Sequence, residues 1–464
     1  MLVRKLKCVV EKLDDFGRGI VKVGDKVCFV SNALPGEVID VQLVQEKKKF
    51  LIGEVREFYE KSDKRIVPKC KYYDMCGGCN LGHMSFEEEN NYKIEKVRNI
   101  LKKFAGIDVK INDIFYGDQY YYRNKITLRV QEGKLGLLKE SSHDFIEIDK
   151  CLLVLPKINE VISELKKILS FEDRVSKIMI RVSNDSKFVM IKVFGELNHV
   201  SEIENICDSL IINDKVVKNK YIESQILNKK FYVSSNSFFQ VNKEVVEKLY
   251  EYVIEVIKKN NSKRVLDLYC GVGTIGICVS DYVSEVFGIE VVDEAIVSAN
   301  ENKFLNKANN INFKCGKVED IIDEGINTFD TVIVDPPRSG IDKKAIGVLN
   351  DSNINTIVYV SCDPITLARD IKLLNNYNVK DVKIFNMFAR TYHCESIAVL
   401  ERKENVSKKI VFISGVSGVG KSTICEYIKE SHLLDEYIAF DIDDLEKKKI
   451  SILLNIINFG LFFY

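Results

Sequence analysis

The 464-residue chain has no run of about 18 apolar residues, so no transmembrane helix is expected. No secretory leader is expected either, because MLVRKLKCVVEKLDDFGRG interleaves its charges too closely for an apolar stretch. A net charge of +0 provides no global field, so nucleic-acid binding would have to come from local patches. With no leader expected, the 13 cysteines do not read as a secreted disulfide framework. Reduced thiols in a cytoplasmic protein are expected instead. Cys8, Cys28, Cys207, Cys278 and Cys425 stand in apolar contexts and read as small core residues. Cys70, Cys76, Cys79 and Cys362 do not.

What is present reads as several domains, since 464 residues exceed one core. Residues 1–60 alternate in short runs (KCVVEKL, GIVKV, KVCFVS, EVIDVQLV, FLIGEVREFY) separated by turns. Five such strands predict an OB-like barrel. Its 11 Lys/Arg against 10 Asp/Glu only modestly favour RNA binding over a structural role. Residues 61–92 hold CKYYDMCGGCNLGH. Residues 93–235 mix helix and strand and predict an α+β middle domain. From 236 to 403 strands and helices alternate, which predicts an α/β, doubly wound, Rossmann-like domain.

In RVLDLYCGVGTIGI, Gly271, Gly273 and Gly276 follow a strand and open a helix, and Glu290 ends the next strand. The glycines let backbone approach a ligand, and the carboxylate can accept from ribose hydroxyls. Asp267 in the first strand and Asp335-Pro336-Pro337 at a later strand end favour S-adenosylmethionine over a dinucleotide. YVSCDPITLARD then puts Cys362 at the following strand end. A thiolate there could add to carbon 6 of a pyrimidine and make carbon 5 nucleophilic toward a methyl group. A base must then remove the carbon-5 proton, and Glu395 in MFARTYHCESIAVLER is placed for it. Position alone leaves Cys362 between nucleophile and buried thiol, and Glu395 between base and edge residue.

SFFQVN (Ser237 to Asn242), LDLYCGVG, DPPRSG, YVSCDPITLARD and TYHCES, in this order and spacing, resemble the RNA 5-methyluridine methyltransferases. The likeness is to their iron–sulfur branch acting on 23S ribosomal RNA, and it runs from residue 1 to about 403. It implies that Gln240, Tyr269, Glu290 and Asp335 bind S-adenosylmethionine beside Gly271 and Gly273. It further implies that Cys362 is the nucleophile and Glu395 the proton acceptor. YYYRNKITLRV resembles an RNA-facing segment, making Arg123, Asn124 and Lys125 candidates for RNA contacts, and the barrel resembles a TRAM domain. The sequence departs at Phe388-Ala389-Arg390, where the family usually has Phe-Pro-His, and at Gly82-His83, where it has Gln-His. Alternatives are cytosine-5 or tRNA uridine-5 methylation, or a non-catalytic iron–sulfur RNA-binding factor.

Cys70, Cys76 and Cys79 are spaced C-x5-C-x2-C around Gly77-Gly78. A zinc ribbon wants paired C-x2-C units and only one is here. A [4Fe–4S] cluster suits three thiolates and a distant fourth, which the resemblance puts at Cys151; zinc stays the alternative. Finally, IVFISGVSGVGKST is a P-loop, with Gly415, Gly420, Lys421 and Ser422 around a phosphate or ATP. IAFDIDDL, with Asp441 and Asp443, reads as its second strand. Residues 404–464 read as the start of a kinase-like domain cut short.

Overall fold

The computed structural model describes residues 6–139, 142–170, 174–322 and 325–403, with 409–411, 423 and 437–439 beyond them. It divides into two units, Met1–Arg402 and Lys403–Tyr464. In the second unit, Lys409–Val411 and Tyr437–Ala439 pair in parallel. The predicted P-loop residues Gly415, Gly420, Lys421 and Ser422 lie outside the described residues, as do Cys425, Asp441 and Asp443. No helix among the described residues is long and apolar enough to cross a membrane.

The first unit contains three large sheets. The N-terminal sheet has six strands where five were predicted: Lys7–Val9, Lys12–Leu13, Gly19–Val23, Lys26–Ser31, Val38–Glu46 and Phe50–Glu60. The first pairs with the fifth, and Glu11 N–H donates to the Ile20 carbonyl at 2.9 Å, which curls the sheet toward closure. Alternate residues point inward and bury Val21, Cys28, Val30, Ile39, Val41 and Leu51. Gly53 is required there: a Cβ would lie 2.5 Å from Val41 and 3.1 Å from the Cys28 sulfur.

A mostly antiparallel seven-stranded sheet spans Lys125–Gln131 to Lys215–Lys218, with helix Pro156–Ile168 packed on it. The third sheet has eight strands in the order Ile311–Cys315, Glu285–Glu290, Arg264–Leu268, Thr331–Val334, Thr356–Ser361, Glu395–Arg402, Tyr377–Phe385, Ile114–Phe115. Its first five strands are parallel, and Glu395–Arg402 runs against both neighbours. TVIV and TIVYVS are buried at every position, as a sheet covered on both faces demands. Strand order reverses at Arg264–Leu268, which opens a crevice at the carboxyl ends of the strands.

The middle segment is not one body. Helix Phe86–Ile100 and the following residues bring Val97, Ile100, Leu101 and Ile111 into the core of the eight-stranded sheet. The hairpin Tyr221–Ile226 and Lys229–Ser234 joins that sheet's other face through Ile222, Phe231 and Val233. Periodicity identifies the apolar stripe of a helix but not the surface that receives it.

Candidate active site

Strand Arg264–Leu268 ends in a turn with three left-handed residues: Tyr269 (φ 63°), Gly271 (φ 54°) and Gly273 (φ 80°). The turn opens helix Thr274–Val279. A left-handed tyrosine is strained, so the surroundings must hold it in place. Gly271 faces open space, and a Cβ there would touch nothing within 4 Å. Gly273 differs, since a Cβ would lie 2.7 Å from the Phe313 ring. Gly271 therefore borders the ligand space, while Gly273 serves packing.

The space beyond is a cavity of about 730 Å³. Gln240, Tyr269, Gly271, Glu290, Asp335, Cys362 and Glu395 all line it; Gly273 does not. Glu290 is fixed by accepting from Gly271 N–H at 3.2 Å and from Val291 and Val292 N–H at 2.9 Å. Asp267 accepts from Gly276 N–H at 2.9 Å, and its other oxygen is buried without a partner. Burial, with Asp335 and Glu290 adding, pushes the Asp267 carboxyl up to about 8. Burial likewise pushes Asp335 up to about 7.

Cys362 follows strand Thr356–Ser361, and Asp363 caps helix Pro364–Leu373 by accepting from Ile365 and Thr366 N–H. The half-buried thiol thus sits at a rigid strand-to-helix turn. Burial pushes it up to about 12, Glu395 and Asp335 add to the rise, and Arg338 opposes it. Glu395, 5% exposed, begins the antiparallel strand. Burial, then Asp335, raises its carboxyl well above the usual range, again against Arg338. Arg338 and Phe238 also border the cavity, Phe238 being 70% exposed. Both lie inside DPPRSG and SFFQVN, but sequence reasoning singled out neither. The motifs fix the backbone, whereas side-chain direction comes from the fold.

A family model described as tRNA (Uracil-5-)-methyltransferase matches residues 202–324 and 316–403, and a TRAM domain model matches residues 2–55. An uncharacterized RNA methyltransferase of Staphylococcus aureus is 34% identical over 435 residues, covering 83% of this chain and 96% of the relative. One of Clostridium acetobutylicum is 34% identical over 442 residues, covering 84% and 96%. The chain belongs to the RNA uracil-5-methyltransferase family. A crystal structure of the Pyrococcus abyssi tRNA (uracil-54, C5)-methyltransferase with S-adenosyl-L-homocysteine matches with a TM-score of 0.73. Its identity is 27%, over 85% of this chain and 99% of that one. The reaction of the family is S-adenosylmethionine-dependent, and the Rossmann-like domain with its N-terminal TRAM domain is the fold expected from the sequence.

One expectation for this methyltransferase needs correction. Asn124 is only 2% exposed, and its amide donates to Asn184 Oδ1 at 2.8 Å and to the Gln240 carbonyl at 3.0 Å. It braces the cavity residue Gln240 and is not a surface contact for RNA. Arg123 and Lys125 are half-buried; Arg123 Nε donates to the Lys125 carbonyl at 3.0 Å. Burial pushes Lys125 down to about 8, with Arg181, Arg123 and Lys192 adding. The Gly82-His83 departure has a local cause. A Cβ at residue 82 would lie 2.6 Å from the Tyr73 ring, and the Tyr73 hydroxyl lies 2.7 Å from His83 Nδ1.

Cys70, Cys76, Cys79 and Cys151 line one cavity of about 50 Å³ with Tyr72, Tyr120 and Leu153. Burial, then Cys151, Cys76 and Cys70, raises the Cys79 thiol. Asn159 clasps the Cys151 backbone, accepting from its N–H at 2.9 Å and donating to its carbonyl at 3.0 Å. Among the described residues, no group of three or more His, Cys, Asp or Glu side chains is arranged to hold a metal ion.

Arg390, the other departure, is buried at φ 67°. Its carbonyl accepts from Asn80 and Leu81 N–H, just after Cys79. Its guanidinium reaches the Met84 carbonyl and Gln119. Glu89 accepts from Arg390 N–H at 2.9 Å, from Lys93 Nζ at 2.9 Å and from Asn386 Nδ2 at 3.0 Å. One buried carboxylate thus pairs with both Lys93 and Arg390 and ties the cysteine segment and helix Phe86–Ile100 to the loop before Glu395. Glu89→Gln breaks both buried pairs and is expected to cost about 3–5 kcal/mol in urea unfolding. Glu95→Gln, which loses only an exposed pair with Arg98 on the same helix, should cost about 1 kcal/mol or less. Equal midpoints for the two variants would show that Glu89 carries no such burden.

Proposed function

We propose that this methyltransferase acts on a uridine of ribosomal RNA, 23S in the resemblance, through a covalent cysteine adduct. Cys362 Sγ, as thiolate, bonds to carbon 6 of the base, and the electron pair moves to the carbon-5 enolate. Carbon 5 takes the methyl group of S-adenosylmethionine, with S-adenosylhomocysteine leaving. Glu395 accepts the carbon-5 proton, and the thiolate is expelled as the double bond reforms. The observation that carries this reading is that thiol and carboxyl border the same cavity as Gly271, Glu290 and Asp335. The carboxyls raised there suit a donor with a positive sulfonium, whose charge favours their ionised forms.

The competing substrate is transfer RNA, which the Pyrococcus enzyme is named for methylating. Mapping 5-methyluridine in ribosomal and transfer RNA from cells with and without the gene decides between them. A site lost only from transfer RNA overturns the ribosomal assignment. The tail P-loop, as a phosphate or ATP site, has no part in this chemistry. A chain ending at residue 403 should give the same yield.

The four cysteines would hold a [4Fe–4S] cluster. The support is a cavity whose lining offers thiols and no imidazole or carboxylate, a soft donor set. A single zinc ion, with bonds of about 2.3 Å, would draw its thiolates closer together. Protein prepared without oxygen should be brown with about four irons per chain. Cys151→Ala should lose this iron as fully as Cys76→Ala. One zinc and no visible absorbance would overturn the assignment.

A further inference from the structure

A cavity of about 260 Å³ is lined by Phe16, Arg18, Asn32, Tyr73, Asp74, Asn80 and Tyr392, so barrel, cysteine segment and catalytic loop all contribute to it. Phe16 is 53% exposed, and its backbone is pinned. Asp14 accepts from Phe16 N–H at 2.9 Å and Arg18 N–H at 2.8 Å, and its carboxylate clamps the Arg18 guanidinium at 2.6 Å. The Asp14 carbonyl in turn accepts from the Tyr92 hydroxyl at 2.9 Å. The Phe16 ring meets Tyr392 edge-on, with centroids 5.4 Å apart. Arg18 lies 5.3 Å from the Phe16 ring, and Lys96 lies 5.2 Å from the Tyr392 ring while donating to the Tyr392 carbonyl.

Rigid aromatic faces flanked by cations are what unstacked nucleic-acid bases bind, and fixing them beforehand lowers the ordering cost. Asp74 in the wall would oppose a phosphate beside it, so the cavity suits a base better than the backbone. The place is continuous with the chemistry: from Tyr392 the chain runs through His393 and Cys394 to Glu395. Those three residues span at most about 11 Å.

We propose that this cavity binds a second unstacked base of the RNA substrate, within a few nucleotides of the target uridine, against Phe16 and Tyr392. The inference rests on RNA being methylated in the Cys362 cavity. Such a pocket would let the enzyme read a neighbour of its target.

The test uses RNA fragments around the mapped uridine, each with one abasic nucleotide within three positions of it. Binding is measured to the wild-type chain, Phe16→Ala and Phe16→Tyr. One abasic position should weaken wild-type binding about tenfold or more. The same position should cost less than about twofold in Phe16→Ala and regain its effect in Phe16→Tyr. S-adenosylhomocysteine affinity should not change, since Phe16 does not line the donor cavity. If no position loses its effect in Phe16→Ala, the second-base site is wrong while the methylation reading stands. If the wild-type chain forms no 5-methyluridine, that reading fails and this inference falls with it.

Discussion

Cys362→Ala is expected to lower methyl transfer by at least about 10⁴-fold, as loss of a catalytic nucleophile does, while S-adenosylhomocysteine binds nearly as before. The separation follows from position. Cys362 lies after strand Thr356–Ser361, whereas Gly271 is in the turn after Arg264–Leu268, two strands away, and Glu290 ends the strand beyond that. Removing a half-buried thiol strands no charge, because burial and the carboxyls beside it push its pKa up to about 12 and keep it protonated at neutral pH. The same shift gives the wild-type enzyme a pH signature. Only the thiolate attacks, and its fraction grows as pH rises toward the pKa. Single-turnover adduct formation should therefore accelerate from pH 7 to pH 9 wherever thiol ionisation limits it. Wild-type turnover by the alanine variant, measured with tritiated donor, would remove the covalent route.

Much of the site could be read in the sequence because parallel strands leave a strong local trace. RVLDLY, TVIVD and TIVYVS are short apolar runs closed by a glycine turn, a Pro-Pro and an Asp-Pro. Each break puts the next polar residue at a carboxyl end, where the crevice of an open α/β sheet lies. Asp335 and Cys362 were placed this way, with Glu290 at the end of the neighbouring strand, and all three line the cavity. What sequence could not give was partnership over long separations. Glu89 and Lys93 stand four residues apart on a charge-rich helix, and nothing in that spacing marks them as buried, yet both are buried because Asn386 and Arg390 close over them. Ile114–Phe115 is too short to read as a strand, and pairing with Tyr377–Phe385 makes it one. Asn124 lies in a polar stretch that reads as surface, and the middle sheet turns it inward onto Gln240. In each case the local pattern was right about chemistry, and the opposing surface decided exposure.

Glu395→Gln should fail at a later step than Cys362→Ala and leave a visible product. The substitution keeps shape and hydrogen bonding but cannot take the carbon-5 proton. Glutamine cannot ionise, so it never opposes the Cys362 thiolate as a Glu395 carboxylate would, and addition to carbon 6 should be no slower than in the wild-type enzyme. Methylation can then proceed, after which the adduct is trapped because elimination needs a base. Turnover should fall about 10²–10⁴-fold, the usual contribution of a positioned base. A methylated protein–RNA species should accumulate on a denaturing gel, roughly one per chain, and vanish when Cys362→Ala is added. Burial and Asp335 raise the Glu395 carboxyl, so the base must ionise before it can act. Wild-type proton release should therefore slow as pH falls and carboxyl protonation increases, while the glutamine variant should lack that dependence. Wild-type turnover with no trapped species would assign proton removal to another group in the cavity, with Asp335 the first to examine.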